Sequence, residues 1–283
     1  MLMNEYKVHD HEPSWLPEGN WEMVWHDEFD GTELDRTKWD YRLHMMQRRW
    51  PAWTDKGVHL DGNSNCVFTI LEEDGKIVSS QLQTGYNYMD QPVTQTQSDT
   101  TIGKENLQWP LGKLKQSMYL HGHGYYECRC RLQQMEGWWS AFWIQSPVIG
   151  ASLNAADTGA EIDIMESFHP GKIAGHNVFS GGYGLNSKRI QVPGKIAKEL
   201  DEKQWHRFGV LWDENGYIFY IDGEESGRIT EEISHRPQFI LLSTEVRGYR
   251  SIKCNGTFTE DGVKAAKAGD TFLVDYVRVF EKR

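Results

Sequence analysis

The segment GAEIDIMESF (159–168) sets three carboxylates into an otherwise apolar run. Such a run reads as a strand, in which side chains alternate between the two faces. Glu161 and Asp163 then share one face, and Ile162 and Ile164 pack on the other. Strict alternation would put Met165 with the acids and turn Glu166 into the core. An unpaired carboxylate there is strongly unfavourable. A one-residue β-bulge near Met165, between Ile164 and Glu166, returns Glu166 to the face of Glu161 and Asp163, and bulges recur beside active sites. With one residue absorbed, the two glutamate Cα atoms stand about 13 Å apart, at roughly 3.3 Å per residue. Leaning over the shorter aspartate, their carboxyls can approach to about 5–5.5 Å, the separation of a retaining glycosidase. One carboxylate would attack the anomeric carbon. The other would protonate the leaving oxygen and then deprotonate water. Three acids this close cannot all ionise together, which supplies a protonated acid near neutral pH. The competing readings are a calcium site and acids on a solvated edge strand. Calcium loops usually interleave Gly and Asn with their acids, whereas the spacers here are Ile, Ile and Met.

The elements that must position these acids are short β-rich runs broken by Gly, Asn and Asp. They fall at 21–28, 66–73, 76–84, 124–132, 139–146, 160–168, 207–213, 217–222, 239–246 and 272–280. EEDGK (72–76) and DENG (213–216) read as hairpin turns. Helix signals are few: one turn at 35–39 and a short helix at 195–205. Many short strands with almost no helix predict an all-β protein, a two-sheet antiparallel sandwich or jelly roll. One domain over residues 1–283 is expected, with residues 1–18 as an N-terminal extension. The Gly-, Gln- and Thr-rich stretch 85–123 reads as loop, and loops of that length are usually functional.

Composition narrows the function. The net charge of −11 over 283 residues argues against binding nucleic acid or an anionic membrane. No apolar stretch is long enough for a spanning helix. The N-terminus MLMNEYKVHDHEPSW lacks a basic start followed by an apolar run, so no signal peptide is visible. The compartment stays open, with a trimmed secreted or periplasmic protein preferred to a cytoplasmic one. Twelve tryptophans fit a β-rich core, a surface for stacking sugar rings, or both. Cys66, Cys128, Cys130 and Cys254 show no zinc spacing and read as free buried thiols.

The acid segment resembles the bulged signature of glycoside hydrolase family 16, E-[hydrophobic]-D-[hydrophobic]-x-E. The resemblance extends through WEMVWHDEFDGTELDRTKWDYR (21–42), HGYYECRCRLQQMEGWWSAFWIQS (123–146), YIFYIDGEE (217–225) and FLVDYVRVF (272–280). It implies a jelly roll whose concave sheet cradles a polysaccharide, with Glu161 as nucleophile, Glu166 as acid/base and Asp163 assisting between them. Relatives often carry H-N-x-H-W in the region of His176 and Asn177. Here Phe179 and Ser180 stand in place of the second His and the Trp. Asp275 matches a position that binds structural calcium in some relatives, with Glu28 and the Gly62 carbonyl as partners. No cofactor is implied for catalysis.

Trp138, Trp139 and Trp143 precede the acids. Trp139, Ala141 and Trp143 share one face, and Trp138, Ser140 and Phe142 the other. One set should line the cleft and the other the core. Trp50, Trp53 and Trp109 sit in loop-like segments, as outer sugar platforms or as anchors for their own loops. Glu245 and Arg247 follow a late strand within reach of the cleft. Arg48, Arg49, Arg247 and Arg250 are either scattered solvated charges or binders of sulfate or uronate groups. Asn255-Gly-Thr257 is a glycosylation sequon, which has meaning only in a eukaryotic secretory pathway. The expected function is a monomeric retaining endo-β-glycanase on a β-1,3- or mixed β-1,3/1,4-glucan. The alternatives are a β-galactanase on agar-, porphyran- or carrageenan-type galactan, and a non-catalytic lectin. A lectin needs no paired glutamates.

Overall fold

The computed structural model describes residues 3–45, 48–91, 114–192, 200–247 and 265–283. Trp109, Arg250, Cys254, the Asn255 sequon and residues 195–199 of the expected second helix lie outside them. The first strands are β1 (Asn4–Val8), β2 (His11–Leu16), β3 (Trp21–Asp27), β4 (Asp40–Tyr41), β5 (His44–Met45), β6 (Arg48–Arg49) and β7 (Val58–Leu60). Next come β8 (Cys66–Thr69), β9 (Leu71–Glu73), β10 (Lys76–Val78), β11 (Gln81–Gln83), β12 (Gly124–Arg131) and β13 (Trp138–Gln145). A single helical turn, α1 (Ala155–Thr158), precedes β14 (Ala160–Ser167), β15 (His176–Ser180) and β16 (Lys188–Val192). The chain closes with β17 (His206–Asp213), β18 (Gly216–Ile221), β19 (Glu224–Ile229), β20 (Phe239–Val246) and β21 (Thr271–Lys282).

Two antiparallel sheets face each other. One runs β16-β15-β14-β13-β20-β11-β4, the other β19-β18-β17-β12-β21-β8-β7, with β3 also paired to β21. The acid strand β14 is therefore an interior strand. Alternation decides what lies between the sheets. Trp138, Phe142 and Ile144 of β13 and Ile162, Ile164 and Met165 of β14 meet Cys128 and Cys130 of β12 and Val277 and Val279 of β21 in one core. Burying such side chains contributes about 1.5–3 kcal/mol each. Cys66, Cys128 and Cys130 are free and buried.

The 72–76 turn forms as expected. Asp74 and Gly75 both take positive φ, 51° and 72°, the geometry of a tight two-residue hairpin loop. The 213–216 turn pairs Asp213 with Gly216, so Glu214 and Asn215 occupy its centre. Residues 35–39 make one turn, with Trp39 N–H donating to the Asp35 carbonyl.

The N-terminal extension is itself ordered. β1 and β2 form a hairpin laid on the outer face of the second sheet, where Leu16 packs with Tyr125, Tyr220 and Phe280. Beneath it lies a polar layer. Arg278 is fully buried and donates to both oxygens of Glu28, at 2.9 and 2.6 Å. It also donates to the Glu12 carbonyl and the Ser14 hydroxyl of the hairpin.

The same layer engages the two carboxylates of the calcium expectation. The Glu28 carboxylate is taken by a guanidinium at both oxygens, and Asp275 accepts from Arg129 at 2.5 Å. Gly62 sits in the 61–65 turn, where the Asp61 carboxylate accepts from the Asn63 and Asn65 backbones. Two guanidinium groups already neutralise the two acids and repel a dication, so Glu28, Gly62 and Asp275 do not fit a cation site. Burial alone would raise Glu28. Hydrogen bonds from His26 and Arg278 and the guanidinium charge outweigh it and hold the carboxyl at about 2, below its ordinary 4.5. A depressed carboxyl stabilises the fold above its unfolded pKa, here by about 3 kcal/mol, and loses that contribution as pH falls toward 2. EDTA at neutral pH is therefore expected to leave the melting temperature unchanged, while acidification below about pH 4.5 lowers it. A fall on chelation at neutral pH would contradict the guanidinium assignment.

Candidate active site

β14 presents Glu161, Asp163 and Glu166 on the sheet face turned away from the core, where all three line one cleft. The bulge that makes this possible sits one residue earlier than expected. Phe142 pairs with Met165 and Trp143 with Asp163, leaving Ile164 as the extra residue. Ile164 and Met165 therefore both enter the core, and Glu166 emerges beside the other acids.

A bulge leaves a backbone group off the ladder, and His176 takes it up. His176 Nδ1 donates to the Ile164 carbonyl at 2.8 Å, while Nε2 accepts from the Ser226 hydroxyl at 2.6 Å. The ring is wholly buried and stacks on Phe219 at 4.2 Å. Burial pushes its pKa down to about 4, so it stays neutral. This corrects the placement of His176 on the substrate side: it lies in the core and braces the bulge. Its neighbour Asn177, across from Asp163, does face the acids. The Asn177 amide donates to Glu166 Oε2 at 2.9 Å, and its own oxygen accepts from Arg189 Nε and Nη2.

Glu161 is held differently. Gln145, its cross-strand partner on β13, donates to Glu161 Oε2 at 2.9 Å. The Tyr183 hydroxyl donates to the same oxygen. Neither residue was singled out from the sequence. Gln145 ends an apolar strand, and Tyr183 belongs to a Gly-rich turn whose path the sequence does not show.

The cleft opens to solvent, and about 610 Å³ of space, open solvent included, lies between its walls. Trp139, Ala141 and Trp143 line it with Ser243 of β20. Trp143 is fixed in place: its indole N–H donates to Ser243 Oγ at 3.0 Å, and the Arg42 guanidinium lies 5.0 Å from its ring centre. Trp138 is the correction on this strand. It points into the core with no exposure, and its indole N–H donates to Asp270 at 2.8 Å. Trp53 is also buried, with Arg42 over its ring, and Trp50 packs half-buried on the core. These two anchor their own loop.

Glu245 shares the cleft face of β20 two residues beyond Ser243, opposite Trp139, and accepts from Gln81 at 3.4 Å. It does not form part of the cleft wall, and neither does Arg247, whose guanidinium meets His169. The wall includes one cation that sequence reading passed over. Arg42 is buried there and donates to Asp90 through Nε at 3.0 Å and through Nη2. Among the described residues, the charges lining the cleft are thus four carboxylates and one paired guanidinium.

The fold and site together define a β-jelly roll with an acidic, tryptophan-walled cleft on the outer face of one sheet. A profile of the family described as "Glycosyl hydrolases family 16" matches residues 51–247, and the chain belongs to that family. It is 25% identical over 282 residues to a glucan endo-1,3-beta-glucosidase A1 of Niallia circulans, covering 92% of this chain and 38% of that protein. The chain thus spans less than half the length of that relative. It is 26% identical to a beta-glucanase of Rhodothermus marinus, with 92% of this chain and 85% of the other aligned. Among solved structures, the laminarinase catalytic domain of Thermotoga maritima superposes with a TM-score of 0.60 at 20% identity, covering 93% of this chain and 99% of that one. At that identity the likeness speaks for the fold.

Proposed function

We propose that the protein is a retaining, endo-acting glycoside hydrolase that cleaves internal β-1,3 or mixed β-1,3/1,4 bonds of a glucan. The observation that carries this reading is the bulge at Ile164, which sets two glutamates on one face of one strand beside two tryptophans. Relatives named for endo-1,3-β-glucosidase and β-glucanase activity support the substrate class. The cleft charges support a neutral polymer, because among the described residues four carboxylates oppose a sulfated or carboxylated sugar and the guanidinium of Arg42 is already paired.

In this reading the sugar lies against Trp139 and Trp143. Glu161 attacks the anomeric carbon while Glu166 gives its proton to the departing glycosidic oxygen, forming a glycosyl ester on Glu161. Glu166, now a carboxylate, takes a proton from water as that water attacks the same carbon. The ester bond breaks and Glu161 leaves as a carboxylate. Asp163 stands between the two and keeps their charges interacting. Two inversions preserve the β configuration. Incubation with laminarin and mixed-linkage glucan, set beside agar, porphyran and carrageenan, is expected to release oligomers from the glucans alone. A proton NMR time course is expected to show the β-anomer first. The α-anomer appearing first would exclude a covalent intermediate.

A further inference from the structure

Glu161 is held at Oε2 by two side-chain donors, Gln145 and Tyr183. Gln145 is buried, and its amide orientation is fixed because its oxygen accepts from Asn87 Nδ2 at 2.5 Å. Asn87 in turn donates to Asp90 at 2.9 Å and accepts from the Asp90 backbone at 2.7 Å. Arg42 ends this chain on Asp90. With its oxygen so engaged, Gln145 turns its NH2 group toward Glu161 Oε2 and the Tyr183 oxygen, each of which accepts from Nε2. Tyr183 therefore receives one hydrogen bond from Gln145 and passes its own proton toward Glu161 Oε2.

From this arrangement we propose that Tyr183 is a positioning residue for the nucleophile: it acts with Gln145 as a two-donor clamp on Oε2, so that Oε1 is the oxygen that attacks. The inference rests on the glycosidase reading above and deepens it. When Oε1 forms the ester, Oε2 becomes its carbonyl oxygen. When the ester breaks, Oε2 regains negative charge. A donor held at Oε2 favours the charged carboxylate before attack and again as it leaves. Burial first, then the charge and hydrogen bond of Glu161, push the Tyr183 phenol well above its ordinary range. It therefore remains a donor wherever the protein is folded and active.

The test is Tyr183→Phe, which keeps the ring and deletes the donor. The substrate is a 2,4-dinitrophenyl β-glycoside of a short gluco-oligosaccharide. Its leaving group departs without a proton, so the acid limb of kcat/KM follows ionisation of Glu161 rather than of Glu166. Among the described residues, the charged groups around Glu161 are Asp163 and Glu166 on its own strand, Asp90 and Arg42 in the cleft wall and Arg189 on β16. β13 contributes none. All of these persist in the variant, so a shifted limb belongs to the phenol. The expected result is a limb moved up by about one pH unit and a plateau about tenfold lower, with KM nearly unchanged, as the loss of one charge-assisted hydrogen bond requires. The melting temperature should stay close to that of the parent. A variant with the parent's limb and rate overturns the inference. A lower melting temperature with an unmoved limb also overturns it, since that is a purely structural role. If the parent itself fails to turn over any such glycoside, the glycosidase reading falls instead.

Discussion

Glu161→Gly is expected to lower glucan hydrolysis by several orders of magnitude, because among the described cleft residues no other carboxylate is placed to form the ester, Asp90 being paired with Arg42. Asp163 is too short and stands one pleat away, and Glu166 faces the leaving oxygen. The glycine also opens a space at the α face of the bound sugar. An α-glycosyl fluoride of a short gluco-oligosaccharide fits that space, since fluoride occupies the position of the lost carboxylate oxygen and departs without a proton. Glu166 keeps its hydrogen bond from Asn177 and takes the proton from an incoming sugar hydroxyl. The variant should therefore build β-linked oligomers that it cannot cleave, measurable as products longer than the donor. Tyr183 and Gln145 lose their shared acceptor in this variant. A chloride or formate ion has two donors waiting at the vacated position, and formate is expected to restore slow turnover of activated aryl glycosides. Failure of both synthesis and rescue, with a folded protein, would remove Glu161 from the nucleophile's role.

Much of this site can be read from residue order alone. Three acids spaced by Ile, Ile and Met can share a face only if one residue is absorbed, so the bulge follows from the cost of burying Glu166. Its position does not follow as closely. Ile164 and Met165 are both apolar, and either could be the extra residue until β13 fixes the register. The division of Trp138 from Trp139 and Trp143 has the same character. Alternation separates the two sets, but only the partner sheet says which set is inside. His176 shows a deeper limit. A histidine next to an asparagine that touches an acid looks like a ligand-binding group, and nothing in the sequence marks the Ile164 carbonyl as lacking a ladder partner. Of the residues missed, Arg42, Asn87, Asp90 and Tyr183 all come from loops. Their contacts with β13 and β14 span 22 to 101 positions along the chain. Local pattern carries no information about such closures. The N-terminal hairpin escaped for a related reason: β2 buries only alternate residues, and its Glu12 and Ser14 side chains accept from Arg207 and Arg278 far along the chain.

Glu166→Ala separates the second glutamate from the first. The nucleophile and its two donors remain, so the glycosyl ester should still form from substrates whose leaving group needs no proton. Natural glucans, with a poor alkoxide leaving group, should be cleaved slower by about two to four orders of magnitude, the usual contribution of a placed general acid. Aryl glycosides with dinitrophenolate as leaving group should form the ester at close to the parent's rate. They then stall, because water has lost its general base. Azide needs no base and fits the space left by the missing side chain, beside the Asn177 amide that once bound Glu166. It should speed turnover in proportion to its concentration and give a β-glycosyl azide, since it attacks from the face opposite the ester. The parent enzyme should show no such response, because its Glu166 carboxylate repels the anion. If azide instead gives a β-azide with Glu161→Gly and an α-azide with Glu166→Ala, the two roles are exchanged. The clamp on Glu161 Oε2 would then hold the acid rather than the nucleophile.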